Sequence, residues 1–93
     1  MPDWADPVWH LFVVRTKNRQ QLQNQLNQAE IGTVIHYPIP PHLQNAYSEL
    51  NYIKGSFPIA EIIHEQVLSL PIGPHLGSVN AITVCNAVNA FSF

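Results

Sequence analysis

Apolar residues along this chain fall into short clusters whose spacing alternates between strand-like and helix-like. From Trp9 to Arg15 the chain reads Trp-His-Leu-Phe-Val-Val-Arg, an aromatic and β-branched run. It is too short for a helix and predicts a strand buried on both faces, after an irregular lead-in over residues 1–7. Leu22, Leu26 and Ala29 then recur at helical spacing. With Asn18 and Gln21 as a capping-box-like pair and Gly32 as a left-handed stop, they predict an amphipathic helix from Arg19 to Glu30. Thr33 to Tyr37 predicts a second strand, cut off by Pro38, Pro40 and Pro41, which favour a stiff extended loop.

Leu43 to Leu50 predicts a short helix, with Ala46, Tyr47 and Leu50 along one side. Ser56 can cap the next one, and Pro58 is tolerated in its first turn. Ile59, Ile62, Ile63 and Val67 are expected to face inward there, leaving Glu61, His64 and Glu65 wet. Leu68, Ser69 and Leu70, ahead of Pro71, predict a third strand, and Ser78 can cap a last helix running to about Phe91. The order β-α-β-α-α-β-α describes one α+β domain over residues 1–93, with the domain proper at 8–93. Its predicted core is a small three-stranded sheet, strands near 9–15, 33–37 and 67–70, with helices packed mainly on one face.

The last helix differs from the others. Asn80, Thr83, Asn86 and Asn89 form one narrow polar stripe, while Val79, Ala81, Ile82, Val84, Cys85, Val88 and Phe91 cover most of the remaining circumference. Two readings stay open at this point. Either the helix sits deep in its own core, or part of it meets another chain or domain, with Val84, Val88 and Phe91 among the candidates for exposure.

Composition sharpens this picture. Charged residues are only 11 % of the chain, against roughly 25 % for an average soluble domain. Eight Asn and seven Gln fill the gap. So uncharged a surface is poorly solvated, which favours its being covered by something else. A net charge of −2 with four basic residues excludes a nucleic-acid footprint. The single Cys85 can form no internal disulfide and fits a reducing cytoplasm. Residues Met1 to Asp6 lack the basic and apolar regions of a signal peptide, and no apolar run approaches the ~18 residues of a membrane span.

Candidate chemistry gathers in the loop His36-Tyr37-Pro38-Ile39-Pro40-Pro41-His42. A backbone stiffened by prolines presents two imidazoles and a phenol, and a rigid loop loses little entropy on binding a ligand. The same loop read as a purely structural turn would use its His and Tyr to cap backbone groups. His36 and His42 have no third ligand nearby, so no metal site is expected. His10 reads as a sheet or core histidine, His64 and His75 as surface residues. Ser48, Ser69 and Ser78 have no neighbouring base in the sequence, and Lys17 and Lys54 both fall in turns. The chain alone offers no catalytic set, since a Schiff-base lysine needs a buried site.

Four ordered blocks carry a resemblance. His10 to Thr16, Ile31 to Gln44 with its His36-Tyr37-Pro38 core, Phe57 to Glu61, and Val67 to Ile72 resemble the small C-terminal domain of the DegT/DnrJ family. Members of that family are pyridoxal-phosphate (PLP) dependent nucleotide-sugar aminotransferases. The resemblance covers about Val8 to Phe91 and implies a fold-type I small domain. It also implies that the large domain, with the PLP lysine and phosphate cup, is missing, so no cofactor is expected on this chain alone. In that family the loop helps shape the nucleotide-sugar pocket, a role that would fall on His36 and Tyr37, with Pro38 fixing the loop and His42 as a further candidate. The loop looks most like that of members acting on 3-keto sugars, with 4-keto sugars left open. Family members usually close on a charged helix, whereas residues 79–93 carry no charge, which favours a homodimer or higher oligomer through this helix.

The resemblance thus implies a C-terminal fragment or domain of a sugar aminotransferase, inactive alone, with a large aminotransferase domain as a partner. The alternative is a free-standing self-associating binding or assembly module, which Met1 at the head of a whole domain favours. A neighbouring reading frame encoding the large domain would point to the first.

Overall fold

The computed structural model describes residues 1–91. Two strands and three helices carry the domain: β1 (Phe12–Arg15), α1 (Arg19–Gln28), α2 (Pro58–Gln66), β2 (Val67–Leu70) and α3 (Gly77–Asn89). Two 3₁₀ segments, Pro41–Leu43 and Asn45–Leu50, stand where one short helix was predicted, and the second is kinked at Tyr47. With prolines at 40 and 41 the chain enters this stretch with few free amides, and only short i+3 bonds close it.

The sheet is antiparallel and has two strands among the described residues, not the expected three. Phe12 pairs with Leu70, Val13 with Ser69, Val14 with Leu68 and Arg15 with Val67. The predicted second strand is reduced to one bridge, in which Val34 and Ser69 exchange both backbone hydrogen bonds, at 3.2 and 2.8 Å. Beyond Val34 the run is too short, and too soon interrupted by prolines, to extend the ladder. Residues 9–11 also fall outside β1. In this register Leu11 would oppose Pro71, which has no N–H to give.

The core is small. Leu22 and Leu26 of α1, Ile31, Leu68 of β2 and Val84 of α3 form the buried cluster, with Val14, Ile35, Leu70, Ala87, Val88 and Phe91 packed against it. Alternation along the strands puts Val14 and Leu68 on the face covered by α1 and α3, and Ser69 on the other. Val84, Val88 and Phe91 therefore face inward. The large apolar residues of α3 that face outward are Val79 and Ile82, 77 % and 59 % exposed.

Asn18 makes no side-chain cap on α1; the Thr16 hydroxyl instead accepts from the Asn18 amide at 3.0 Å. The left-handed residue after α1 is Glu30 (φ 61°), two positions ahead of the expected Gly32. The Arg19 guanidinium donates to the His64 and Val67 carbonyls, tying the start of α1 to the end of α2.

The molecule is elongated. Its radius of gyration is 15.7 Å, against about 12 Å for a compact chain of this length. Its accessible surface is 7154 Å², against about 5400 Å² expected for a monomer of this mass. No helix among the described residues is long and apolar enough to cross a membrane.

Candidate functional site

The proline loop leaves the sheet one residue after the bridge. Ile35 packs on the core, and His36 turns back over the open face of the sheet, its Nδ1 2.8 Å from Ser69 Oγ. The next carbonyl, that of Tyr37, accepts a hydrogen bond from His64 Nδ1 on α2. The Tyr37 ring meets the His36 ring edge-on, centroids 5.2 Å apart, yet it stays 59 % exposed. Its backbone is held while its phenol is free. Further along, Pro40 is buried and the Gln44 side-chain amide donates to the Ile39 carbonyl at 2.9 Å.

His42 ends the loop in a different setting. Its imidazole is almost wholly buried, with Nε2 3.2 Å from Glu61 Oε2. It packs edge-on against Phe57, centroids 4.9 Å apart, and Phe57 in turn against Tyr52. Glu61 also accepts from the Gly55 amide (2.8 and 3.0 Å) and the Phe57 amide (3.1 Å). The Gly55 hydrogen bond above all holds this carboxyl below its ordinary value of 4.5; the Phe57 amide and His42 add to the effect, and burial opposes it. A cavity of about 450 Å³ opens beside His42, lined also by Gln44, Asn45, Ser48 and Tyr52. A second, of about 260 Å³, runs between Pro38, Ile39 and Pro40 on one side and Lys54, Glu61 and Glu65 on the other. The loop is a wall between hollows.

Of the three residues singled out, His36 and Tyr37 share one exposed corner, whereas His42 is packed into the aromatic cluster. Three further residues hold the loop, and each departs from expectation. Ser69 does have a base beside it, since β2 alternation turns its hydroxyl out of the core and under His36. Glu61 is buried and not wet, while Ile59 on the same helix is 75 % exposed. The expected facing of α2 therefore fails at Ile59, Ile62 and Glu61, while it holds for the buried Val67 and the exposed Glu65. His64 is half-buried and bonded. A signal for Glu61 was present: an acidic residue in the first helical turn, just after a Gly-Ser-Phe turn, is placed to accept from amides at the helix start, here those of Gly55 and Phe57. No sequence signal marks His64. His10 lies ahead of β1 and is exposed, and His75 is exposed in its turn.

The described residues contain no group of three His, Cys, Asp or Glu side chains able to hold a metal. Lys17 and Lys54 are both exposed, so neither supplies the buried amine that a PLP Schiff base requires. The residues of this chain do not fit that cofactor.

An α+β domain with a side-chain-clamped proline loop has clear relatives. The DegT/DnrJ/EryC1/StrS aminotransferase family matches residues 1–89. The chain is 58 % identical over 73 residues to the erythromycin biosynthesis sensory transduction protein EryC1 of Saccharopolyspora erythraea, spanning 78 % of this chain and 20 % of that protein. It is 50 % identical over 91 residues to the dTDP-3-amino-3,4,6-trideoxy-alpha-D-glucose transaminase of Streptomyces venezuelae, spanning 98 % of this chain and 24 % of that enzyme. The crystal structure of S. venezuelae DesV in complex with a ketimine intermediate superposes with a TM-score of 0.84 at 52 % identity, over 89 % of this chain and 22 % of that one. The chain belongs to the DegT/DnrJ/EryC1/StrS aminotransferase family. It spans between a fifth and a quarter of the length of these curated relatives.

Proposed function

We propose that this chain is the C-terminal small domain, or a fragment, of a PLP-dependent nucleotide-sugar aminotransferase of the cytoplasm. On this reading it contributes one wall of the substrate pocket and is inactive on its own. The observation that carries it is Tyr37: a phenol more than half exposed, on a loop tied to the sheet by the His36 side chain and to α2 by the Tyr37 carbonyl. A held backbone with a free polar tip contacts a ligand at little entropic cost. His36 and Tyr37 meet the sugar nucleotide, and His42 serves from the far end of the loop, beside its own cavity. The excess surface and elongated shape fit a piece made to be covered by a large aminotransferase domain. A 3-keto sugar is the substrate class, in keeping with relatives named for 3-amino sugars.

Two experiments test this. The chain replaces the matching segment of the S. venezuelae transaminase, and the hybrid is expected to transaminate. Tyr37→Phe in that hybrid is expected to raise KM for the keto-sugar nucleotide severalfold with a smaller effect on kcat; an unchanged KM removes Tyr37 from the pocket. The chain alone, mixed with PLP and reduced with borohydride, is expected to give no specific lysine adduct. Stoichiometric labelling of Lys17 or Lys54 would overturn inactivity.

A second reading, self-association through α3, is favoured by the outward Val79 and Ile82 on a helix without charge.

A further inference from the structure

Three of the seven residues from His36 to His42 are prolines and have no N–H. Backbone donors therefore do little to hold this loop, and side chains do it instead. His36 reaches Ser69 at one end, His64 holds the Tyr37 carbonyl, and His42 reaches Glu61 at the other end. Two of these anchors, Glu61 and His64, lie three residues apart on α2 and share one side of that helix. We propose that Glu61 is a positioning residue for the His36–His42 loop, fixing His42 and through it the end of the loop opposite the Ser69 contact.

The geometry exceeds what a helix cap needs. A cap uses one or two carboxylate bonds to free amides in solvent. Here the carboxylate is buried, both oxygens accept from the Gly55 amide, and Oε2 also takes the Phe57 amide and faces His42 Nε2. The turn at Gly55–Phe57 thus aims a buried anion at the loop. The Phe57 ring, on the same turn, packs against the imidazole that this anion holds. Loss of the anion leaves the His42 Nε2 hydrogen-bonding position without its carboxylate at a buried site that borders a cavity, which favours the ring's turning toward water. The importance of the loop rests on the pocket role proposed above; its anchoring does not.

The test uses the full chain in solution without substrate, so it fails or succeeds separately from the pocket reading. Proton–nitrogen NMR spectra of the unmodified chain and of Glu61→Gln are compared. Glu61→Gln keeps the shape but replaces one accepting oxygen with an NH₂ group. Upfield movement of the Gly55 and Phe57 amides is expected, together with loss of the His42–Phe57 ring contact in nuclear Overhauser spectra and shifts across residues 35–44. Signals of Leu22, Leu26 and Leu68 are expected to hold. Movement of the two amides alone, with the ring contact and loop signals kept, would make Glu61 a plain helix cap and overturn the proposal. If Glu61→Gln does not fold, acid titration of the unmodified chain decides. The ring contact must then be lost in step with the Gly55 and Phe57 amide shifts, and its persistence after those amides have moved rejects the idea.

Discussion

Ser69 Oγ and His36 Nδ1 lie 2.8 Å apart across the open face of the sheet. Ser69 is the same residue whose backbone bridges to Val34, so one position of β2 holds both the main chain entering the loop and its first side chain. The hydroxyl is buried, which shields the contact from competing water. The loop therefore leaves the sheet in a defined direction.

Ser69→Ala removes that contact and leaves a half-buried ring nitrogen without its partner. A loss of about 1 kcal/mol is expected in urea unfolding, the usual size for one such hydrogen bond. The His36 ring signals are expected to shift while the fold persists. An unchanged His36 ring spectrum would mean that the contact does not form in solution.

The sequence made the strands expected near 9–15 and 67–70 and the three α-helices legible by residue type and spacing, although β1, expected to be buried on both faces, is exposed except at Val14. The third strand was not, since Thr33 to Tyr37 has strand-like residues but room for one bridge before the prolines. On α2 the periodicity misled. Ile59 and Ile62 look like core, yet the residue the turn draws inward is Glu61, because the Gly55 and Phe57 amides need an acceptor. The loop itself stood out by its prolines. Its anchors did not, because Ser69, His64 and Glu61 are brought to it from 27 or more, or 19, positions away only by the fold.

Leu68→Ala and Ile59→Ala separate core from surface on neighbouring elements. Leu68 is wholly buried, so its truncation is expected to cost about 2–5 kcal/mol. Ile59, exposed on α2, is expected to change stability by less than about 0.5 kcal/mol. Thermal unfolding followed by circular dichroism distinguishes the two, and a large loss at Ile59 would restore the inward-facing reading of that side of α2.

Acid should weaken the domain through Glu61. Its folded carboxyl is depressed below 4.5, chiefly by the Gly55 amide. A group with a depressed folded value stabilises fully above its unfolded value, and that contribution fades as pH falls through the folded one. Urea midpoints measured from pH 6 down to pH 3 are expected to decline below about 4.5 in the unmodified chain. The decline should be shallower in Glu61→Gln. Equal slopes for the two would mean that other carboxyls carry the acid sensitivity.

Self-association is expected to follow α3, though through different residues from those the apolar pattern picks out. Val84, Val88 and Phe91 pack inward, which leaves Val79 and Ile82, three residues apart, as the outward apolar pair. No charged side chain stands on this helix to keep copies apart, and only 11 % of the chain is charged. A homodimer or higher oligomer is expected at concentrations on the order of tens of micromolar. Ile82→Glu places a charge on the outward side without disturbing the core, so it should yield monomer at unchanged stability. Val88→Glu instead drives a carboxylate against the Leu22 and Leu26 cluster and should unfold the chain. Sedimentation equilibrium of the unmodified chain and of Ile82→Glu measures the difference. A clean monomer for the unmodified chain rejects the contact. A dimer untouched by Ile82→Glu moves it to another apolar surface, such as the exposed corner where Trp9 stacks on Phe12.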